Sequence, residues 1–221
     1  MPLLKKLLVI FIGPPGSGKG TQASMLAEKL GLTHIGSSEI IREKLPTLSG
    51  EEKELVEKPF NDGGLIPSDV ITKWVIEKLE KVKSLKGKGI VLDGSPRMLP
   101  EAESLNQYLK RDSFWQEYIL FLDIKVDESI WRREHRRVCA NCRYALPYTP
   151  ENAKLTVCPK CGGQLMKRAD ETALEKRWQV YEEQTLPVIN YFREQGLLKE
   201  INGSQSIEKV HEDVVRALNI D

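Results

Sequence analysis

Residues 13–22, GPPGSGKGTQ, combine glycines, a lysine and a threonine in the order expected of a phosphate-binding loop. They follow a short apolar run and open a helical pattern, so backbone N–H groups and the helix N-terminus would point at one anion. Lys19 would reach the outer phosphate oxygens, although Gly20 separates it from Thr21, where the general pattern has Ser or Thr directly after the lysine. A glycine-rich turn can also be only a tight connection, but the lysine and its context favour nucleotide binding. The predicted loop ligands are Gly13, Pro14, Gly16, Ser17, Gly18, Lys19, Gly20 and Thr21.

The segment 91–101, VLDGSPRMLPE, places an acid, an arginine and a second acid directly after another apolar run. Asp93 would end a strand beside the phosphate loop, where a carboxylate can hold Mg²⁺ directly or through water. The alternative for Asp93 is a helix-capping or turn role. Glu101 follows Pro100 at the start of a helical pattern, so its simplest role is to complement the positive end of that helix.

Four cysteines form two matched C-x₂-C pairs, Cys139 with Cys142 and Cys158 with Cys161. The spacing between the pairs lets four thiolates surround one tetrahedral Zn²⁺. Four protein ligands leave no open position, which predicts a structural rather than a catalytic metal; a redox pair is the alternative. The zinc would hold together a module of about 35 residues that is too small to fold alone.

The segment 131–137, WRREHRR, is locally basic. On a helix, Arg132 and Arg136 would lie one turn apart on one face, where like charges repel unless an anion lies between them. A solvated basic face is the alternative for each arginine taken singly. Several arginines from separate segments are what phosphoryl transfer requires, because it needs aligned phosphates and neutralised charge.

Five short apolar runs predict the strands of a parallel sheet that is buried on both faces. They are residues 7–13, 32–35, 89–94, 118–124 and 197–201. Helical patterns lie between them, at residues 19–30, 68–82, 100–110, 127–137, 174–194 and 206–218. This alternation predicts a doubly wound α/β core, in which ligands bind at the carboxyl ends of the strands.

Two segments interrupt the alternation. Residues 36–67 predict a small helical insertion whose helical stretches are broken by Pro46, Pro59 and the pair at 63–64. Residues 132–168 carry all four cysteines and predict a separate small lid.

The balance of charge excludes a global electrostatic attraction to nucleic acid or to an anionic membrane, since 33 basic residues face 32 acidic ones. The apolar run near the N-terminus spans about seven residues, which is too short for a signal peptide or a membrane span. We therefore expect a cytoplasmic protein that binds small molecules. The three histidines show no metal or triad spacing and are expected to be structural.

These motifs together resemble those of the adenylate kinases, a family of nucleoside monophosphate (NMP) kinases. The resemblance rests on the loop with its extra glycine and following Thr-Gln, on DGSPR, on the arginines of RREHRR and on NDGGLIPSD, and it covers essentially the whole chain. It implies an α/β P-loop NTPase fold with a doubly wound parallel five-stranded sheet, a helical NMP-binding insertion and a small zinc-ribbon lid. The implied core comprises residues 1–35, 68–131 and 169–221, the insertion residues 36–67 and the lid residues 132–168.

The resemblance also implies an activity, namely reversible in-line phosphoryl transfer from MgATP to AMP to give two ADP, by a monomer. Arg42 and Arg97 would then bind the acceptor phosphate. The remaining arginines would close over the ATP and the transferring phosphate, and Arg132 would also stack on the ATP base; they are Arg132, Arg136, Arg168 and Arg177. Further implied contacts are Gln205 to ATP, and Ser37, Ile66, Gly94 and Glu101 to the acceptor.

The chain departs from the family in the link between Arg168 and Arg177, which is shorter, so Lys167 or Lys176 are alternatives for these roles. It also departs in the acceptor pocket, where Ser37 with Ser38, Glu39 and Ser95 replace common family residues. A more polar base pocket is one interpretation, and helix capping by the serines is the other.

Glu101 is the largest departure, because the family usually has a glutamine there that reads adenine. An ionised carboxylate only accepts hydrogen bonds, so it suits the two donors of guanine better than the donor and acceptor of adenine. Keeping Glu101 protonated for adenine would require roughly 4 kcal/mol. Our hypothesis is AMP as the principal acceptor with relaxed base selectivity, against the simpler role of Glu101 at a helix end.

Two other functions remain open on the sequence. One is an NMP kinase that prefers GMP, which the carboxylate of Glu101 favours. The other is a nucleotide-dependent zinc-ribbon protein that binds nucleic acid; its binding would be sensitive to salt, and the near-neutral charge of the chain does not favour it.

Overall fold

Strands and helices alternate along the part of the chain that the computed structural model describes, residues 5–84, 87–167 and 172–220. The strands are β1 (Lys6–Ile12), β2 (Thr33–Gly36), β3 (Gly89–Asp93), β4 (Trp115–Asp123), β5 (Arg137–Cys139), β6 (Ala145–Leu146), β7 (Leu165–Lys167) and β8 (Leu198–Asn202). The helices are α1 (Lys19–Leu30), α2 (Ser37–Lys44), α3 (Gly50–Asn61), α4 (Ser68–Lys83), α5 (Leu99–Arg111), α6 (Val126–His135), α7 (Pro150–Ala153), α8 (Thr172–Val180), α9 (Leu186–Glu194) and α10 (Ile207–Leu218).

Five strands pair in parallel, in the order β2-β3-β1-β4-β8. These are the five apolar runs of the sequence, and their bounds agree with the predicted ones within three residues. The fold predicted from the sequence, an α/β protein with a doubly wound parallel five-stranded sheet, is therefore confirmed.

Alternate residues of β1 point into two separate hydrophobic layers. Leu8, Ile10 and Ile12 pack with apolar residues of α4, α5 and α9, whereas Val9 and Phe11 pack with those of α1 and α10. Because every side chain of the central strand must be apolar to fill both layers, the strand has a continuous apolar sequence instead of an alternating one.

The carboxyl ends of β1, β3 and β4 meet at one edge of the sheet. From β1 the chain passes to β2 on one side, and after β3 it crosses to β4 on the other side. The loops that leave these strands in opposite directions open a crevice, which is where doubly wound proteins bind their ligands.

A second, smaller sheet of three antiparallel strands, β6-β5-β7, follows α6. The side chain of Arg137 on β5 donates to the carbonyl oxygens of Leu155 and Asn152, which ties the loop after α7 to this sheet. All four cysteines lie within or beside this sheet.

Three helical segments differ from their predictions. Pro59 does not break its helix, because it lies within α3, near that helix's end. The helix predicted at residues 127–137 ends at His135, and the chain turns extended at Arg136 and continues into β5. The helix predicted at residues 174–194 contains a wide π-helical turn, Tyr181–Thr185. Among the described helices, none combines the length and apolar character needed to cross a membrane.

The hydrophobic layer under α9 predicts a large stability effect at Phe192, whose side chain is 2% exposed. Phe192→Ala should lower the free energy of unfolding by about 3–5 kcal/mol, because it removes buried surface and leaves a cavity. Urea denaturation measures this effect. The control is Leu186→Ala in the same helix; Leu186 is 40% exposed, and its change should be within about 0.5 kcal/mol. Equal effects of the two substitutions would contradict the packing described.

Candidate functional site

The phosphate loop connects β1 to α1 and is held in place by neighbouring backbone. A side chain at Gly16 would put its Cβ 2.8 Å from the carbonyl oxygen of Ser129 on α6, so only glycine fits there. The hydroxyl of Ser129, which is fully buried, donates to the carbonyl of Pro15. Ser129 was not predicted from the sequence, since nothing but its position on an otherwise solvated helix distinguishes it.

Lys19 folds back over this loop. Its Nζ donates to the carbonyl oxygens of Gly13 at 2.8 Å and Pro14 at 2.7 Å. Burial lowers the pKa of Lys19 to about 8; the negative charge of Asp93 opposes this shift, and the positive charges of Arg97 and Arg136 add to it. These four groups therefore lie close enough to act on one another at the carboxyl edge of the sheet.

Asp93 explains the extra glycine after the lysine. It ends β3 and pairs with Phe11 of β1 and Gly36 of β2. A Cβ at Gly20 would lie 3.1 Å from Oδ2 of Asp93. Glycine at this position thus keeps the carboxylate of Asp93 open toward the loop, where it can accept a divalent cation.

Arg97 lies against the start of the helical insertion. A Cβ on Gly94 would lie 2.8 Å from a terminal nitrogen of Arg97 and 2.6 Å from Oγ of Ser37 on α2, so these three predicted acceptor contacts are neighbours. Arg42, also on α2, stacks its guanidinium over the ring of Phe60, 5.7 Å from the centroid. Ile66 is buried in the layer that contains α4.

The carboxylate of Glu101 is engaged with the segment that precedes α5. Its Oε2 accepts a hydrogen bond from the Ser95 hydroxyl at 2.9 Å and one from the N–H of Arg97 at 3.2 Å. Glu101 is only 3% exposed, and burial raises its pKa; the bonds from Ser95 and Arg97 and the positive charge of Arg97 oppose this shift. This geometry includes the helix-end role considered from the sequence, and Ser95 is a partner that the sequence did not indicate.

The predicted basic residues after β4 differ in their surroundings. Arg132 donates to the carbonyl of Gly203 at 2.8 Å and pairs with Glu128 at 2.5 Å, which places it beside the loop that carries Gln205. Arg136 follows the end of α6, near Lys19. Arg177 is half-buried on α8, while Arg168 and the first part of the shortened link, residues 169–171, lie outside the described residues.

The four cysteine sulfurs all lie within 4.8 Å of one another. Two of the Sγ pairs, Cys139 with Cys161 and Cys142 with Cys158, are separated by 3.5 Å and 3.6 Å. Zn–S bonds of about 2.3 Å in a tetrahedron place the sulfurs about 3.8 Å apart, so the cluster has the right size for zinc.

The pKa values of two thiols in this cluster, Cys161 and Cys142, are shifted in opposite directions. The N–H of Gly163 lowers the pKa of Cys161 to about 6. The N–H of Tyr144 has the same effect on Cys142, but the neighbouring thiols raise the pKa of Cys142 to about 12. A divalent metal removes this conflict, because it stabilises all four thiolates.

Comparison with known proteins places the chain among enzymes of one kind. Residues 11–197 match the sequence model of the adenylate kinase family. Proteins named adenylate kinase from Thermoanaerobacter sp. and from Desulforudis audaxviator are each 38% identical to it, over 95% of this chain and 97% and 98% of theirs. One from Archaeoglobus fulgidus is 36% identical over 93% of this chain and 95% of its own.

The pKa of Lys19 predicts how the affinity for a nucleoside triphosphate depends on pH. Because the pKa in the free protein is about 8, Lys19 loses its charge above that pH, and the dissociation constant of MgATP should then rise about tenfold per pH unit. Calorimetric titration measures the dissociation constant of MgATP between pH 6.5 and 9.5. Both limits of this range lie about 1.5 pH units from the pKa.

Lys19→Arg is the control, because arginine keeps its charge throughout this range. Its affinity should be lower than that of the wild type at pH 7 but independent of pH. The same slope in both proteins would assign the titration to another group.

Proposed function

The chain belongs to the adenylate kinase family, and from that premise we propose how its site transfers the γ-phosphoryl group of MgATP to AMP, giving two ADP. The observation that supports the proposal most is the cluster of Lys19, Asp93, Arg97 and Arg136 at the carboxyl ends of β1 and β3. The charges of one carboxylate and two arginines act on Lys19, so the cluster has an excess of positive charge, which suits two phosphorylated ligands and a divalent ion.

In this proposal the phosphate loop and Lys19 hold the β- and γ-phosphates of ATP, and Arg97 with Arg42 holds the phosphate of AMP. An oxygen of the AMP phosphate attacks the γ-phosphorus, a new P–O bond forms, and the bond to the bridging oxygen breaks, leaving its electron pair on ADP. The attacking oxygen is already anionic, so no general base is needed. The protein's part is alignment and charge neutralisation, to which Arg132, Arg136, Arg168 and Arg177 contribute.

Adenylate kinases use Mg²⁺ with ATP, and Asp93 fits that ion. Its carboxylate faces the loop past Gly20, and oxygen ligands are those that Mg²⁺ prefers. When bound, Mg²⁺ neutralises phosphate charge. We propose that Asp93 holds it directly or through water.

We also propose that the two inserted segments have different roles. Residues 36–67, with α2 and α3, bind the acceptor, and residues 132–168, with the three-stranded sheet, close over the donor. Closure excludes water, which would otherwise compete with AMP for the phosphoryl group. We propose a cytoplasmic location, with which the free cysteines, clustered as for a metal, are consistent. The monomeric state stays a prediction.

For the acceptor, we propose AMP as the principal substrate with relaxed base selectivity. Glu101 presents a buried carboxylate where the family usually has an amide, and the Ser95 hydroxyl adds polarity beside it. A carboxylate tolerates guanine, so a kinase that prefers GMP is the second candidate.

Initial rates with MgATP and AMP, GMP, CMP or UMP test the function and the selectivity together. The wild type should use AMP best and GMP measurably. Glu101→Gln should lower kcat/KM for GMP about tenfold and leave that for AMP unchanged or raised, because an amide can donate to N1 of adenine.

Strict use of AMP that Glu101→Gln does not improve would assign Glu101 to the helix end alone. A higher kcat/KM for GMP than for AMP would favour the second candidate. No transfer to any acceptor would overturn the proposed function.

We propose that the cysteine cluster holds one structural Zn²⁺ per chain. Removing it with a thiol-specific mercurial and a chelator should lower the melting temperature by about 10 °C, because the small lid then loses its main source of stability. A chromogenic zinc indicator measures the metal released. The double variant Cys158→Ser and Cys161→Ser should bind none, whereas Val157→Ser, at a neighbouring position that is 51% exposed, should retain it. Zinc-free protein with an unchanged melting temperature would refute a stabilising role.

A further inference from the structure

The backbone of Arg97 is held on both of its polar groups by buried side chains. Its N–H donates to Oε2 of Glu101 at 3.2 Å, and its carbonyl oxygen accepts a hydrogen bond from Oγ1 of Thr185 at 3.0 Å. Thr185 is only 6% exposed. The two contacts come from different helical segments, and Thr185 lies 88 residues from Arg97 in the sequence.

The position of Thr185 depends on an irregularity in its helix. Thr185 ends the π-helical turn that begins at Tyr181, and the N–H of Leu186 donates to the carbonyl of Tyr181, five residues earlier. Pro187 follows and has no N–H to continue the regular α-helical pattern. Such wide turns are frequent at functional sites.

The hydroxyl of Thr185 could have bonded within its own helix, as threonine often does. Thr72 on α4 shows that arrangement, since its hydroxyl donates to the carbonyl of Ser68, four residues earlier, at 2.6 Å. Thr185 instead reaches across to the loop between β3 and α5. Its hydroxyl therefore helps to position that loop.

We propose that Thr185 is a positioning residue for the acceptor phosphate, which acts by fixing the backbone from which the Arg97 side chain extends. The proposal rests on the role of Arg97 in the proposed function. With the backbone fixed at both polar groups, the guanidinium stays over Gly94 and beside Ser37 before the acceptor binds. Without the hydroxyl, the carbonyl of Arg97 lacks this donor and the loop shifts to find another.

Thr185→Val tests this, because valine keeps the shape of threonine and lacks the hydroxyl. Steady-state kinetics should show KM for AMP raised about tenfold, with KM for MgATP changed less than about twofold. Thr185→Ser should restore values near those of the wild type. Thr72→Val is the matched control, because it removes a buried bond of the same kind (Thr72 is 8% exposed) and should leave both KM values unchanged.

A cycle with Arg97→Ala distinguishes positioning from general loosening of the fold. In that background, adding Thr185→Val should change KM for AMP by less than about twofold, because the group being positioned is absent. A full tenfold effect there, or equal rises in KM for AMP and MgATP in the single variant, would overturn the proposal. If Thr185→Val does not fold, Thr185→Ser and Thr185→Ala give the same comparison, since they differ from each other only in the hydroxyl.

Calorimetric titration with AMP alone separates this proposal from the function on which it rests. Wild-type protein that phosphorylates AMP, with equal AMP affinity in wild type and Thr185→Val, would overturn the role of Thr185 only. Wild-type protein that neither binds nor phosphorylates AMP would overturn both.

Discussion

The burial of a positively charged lysine beside other cations is the constraint on which the carboxyl edge of the sheet depends. Burial lowers the pKa of Lys19 to about 8; the negative charge of Asp93 opposes this shift, and the positive charges of Arg97 and Arg136 add to it. The folded chain holds these cations together because β1, β3 and the end of α6 converge there, and because the loop carbonyls of Gly13 and Pro14 accept the protons of Lys19. In the proposed function, a bound polyphosphate supplies negative charge beside the buried lysine and replaces those carbonyls. The unfavourable burial of the charge would then be offset by affinity for the anion.

Features set by local sequence were predictable. A strand buried on both faces must be apolar at every position, so β1 and β3 were recognisable without a partner. The phosphate loop was recognisable because close approach to a phosphate requires glycine, and the cysteine cluster because tetrahedral coordination requires paired ligands at short spacing. These signals together were sufficient to predict the parallel sheet and to identify the phosphate loop.

Features set by contacts between distant segments were not predictable. The helical periodicity of residues 127–137 could not show that the helix ends at His135 and that the chain turns extended at Arg136. The continuous helical pattern across residues 174–194 hid the π-helical turn, because Thr185 is as compatible with an α-helix as with its actual role. Ser95 could be recognised as a partner of Glu101 only once the turn after β3 had brought them together. In each case the outcome depends on a backbone conformation that tertiary packing sets.

In the proposed function, one segment, residues 95–101, connects recognition of the acceptor's base with recognition of its phosphate. A single oxygen of Glu101 accepts the bonds from Ser95 and from the N–H of Arg97. A glutamine at this position has one carbonyl oxygen, which can accept the same two bonds, so the family's usual residue would hold Arg97 equally well. What differs is the second terminal atom of the side chain, which is an amide donor in glutamine and a second acceptor in glutamate. We therefore expect glutamate at position 101 to leave the placement of Arg97 unchanged and, in the proposed function, to alter only the group presented to the base.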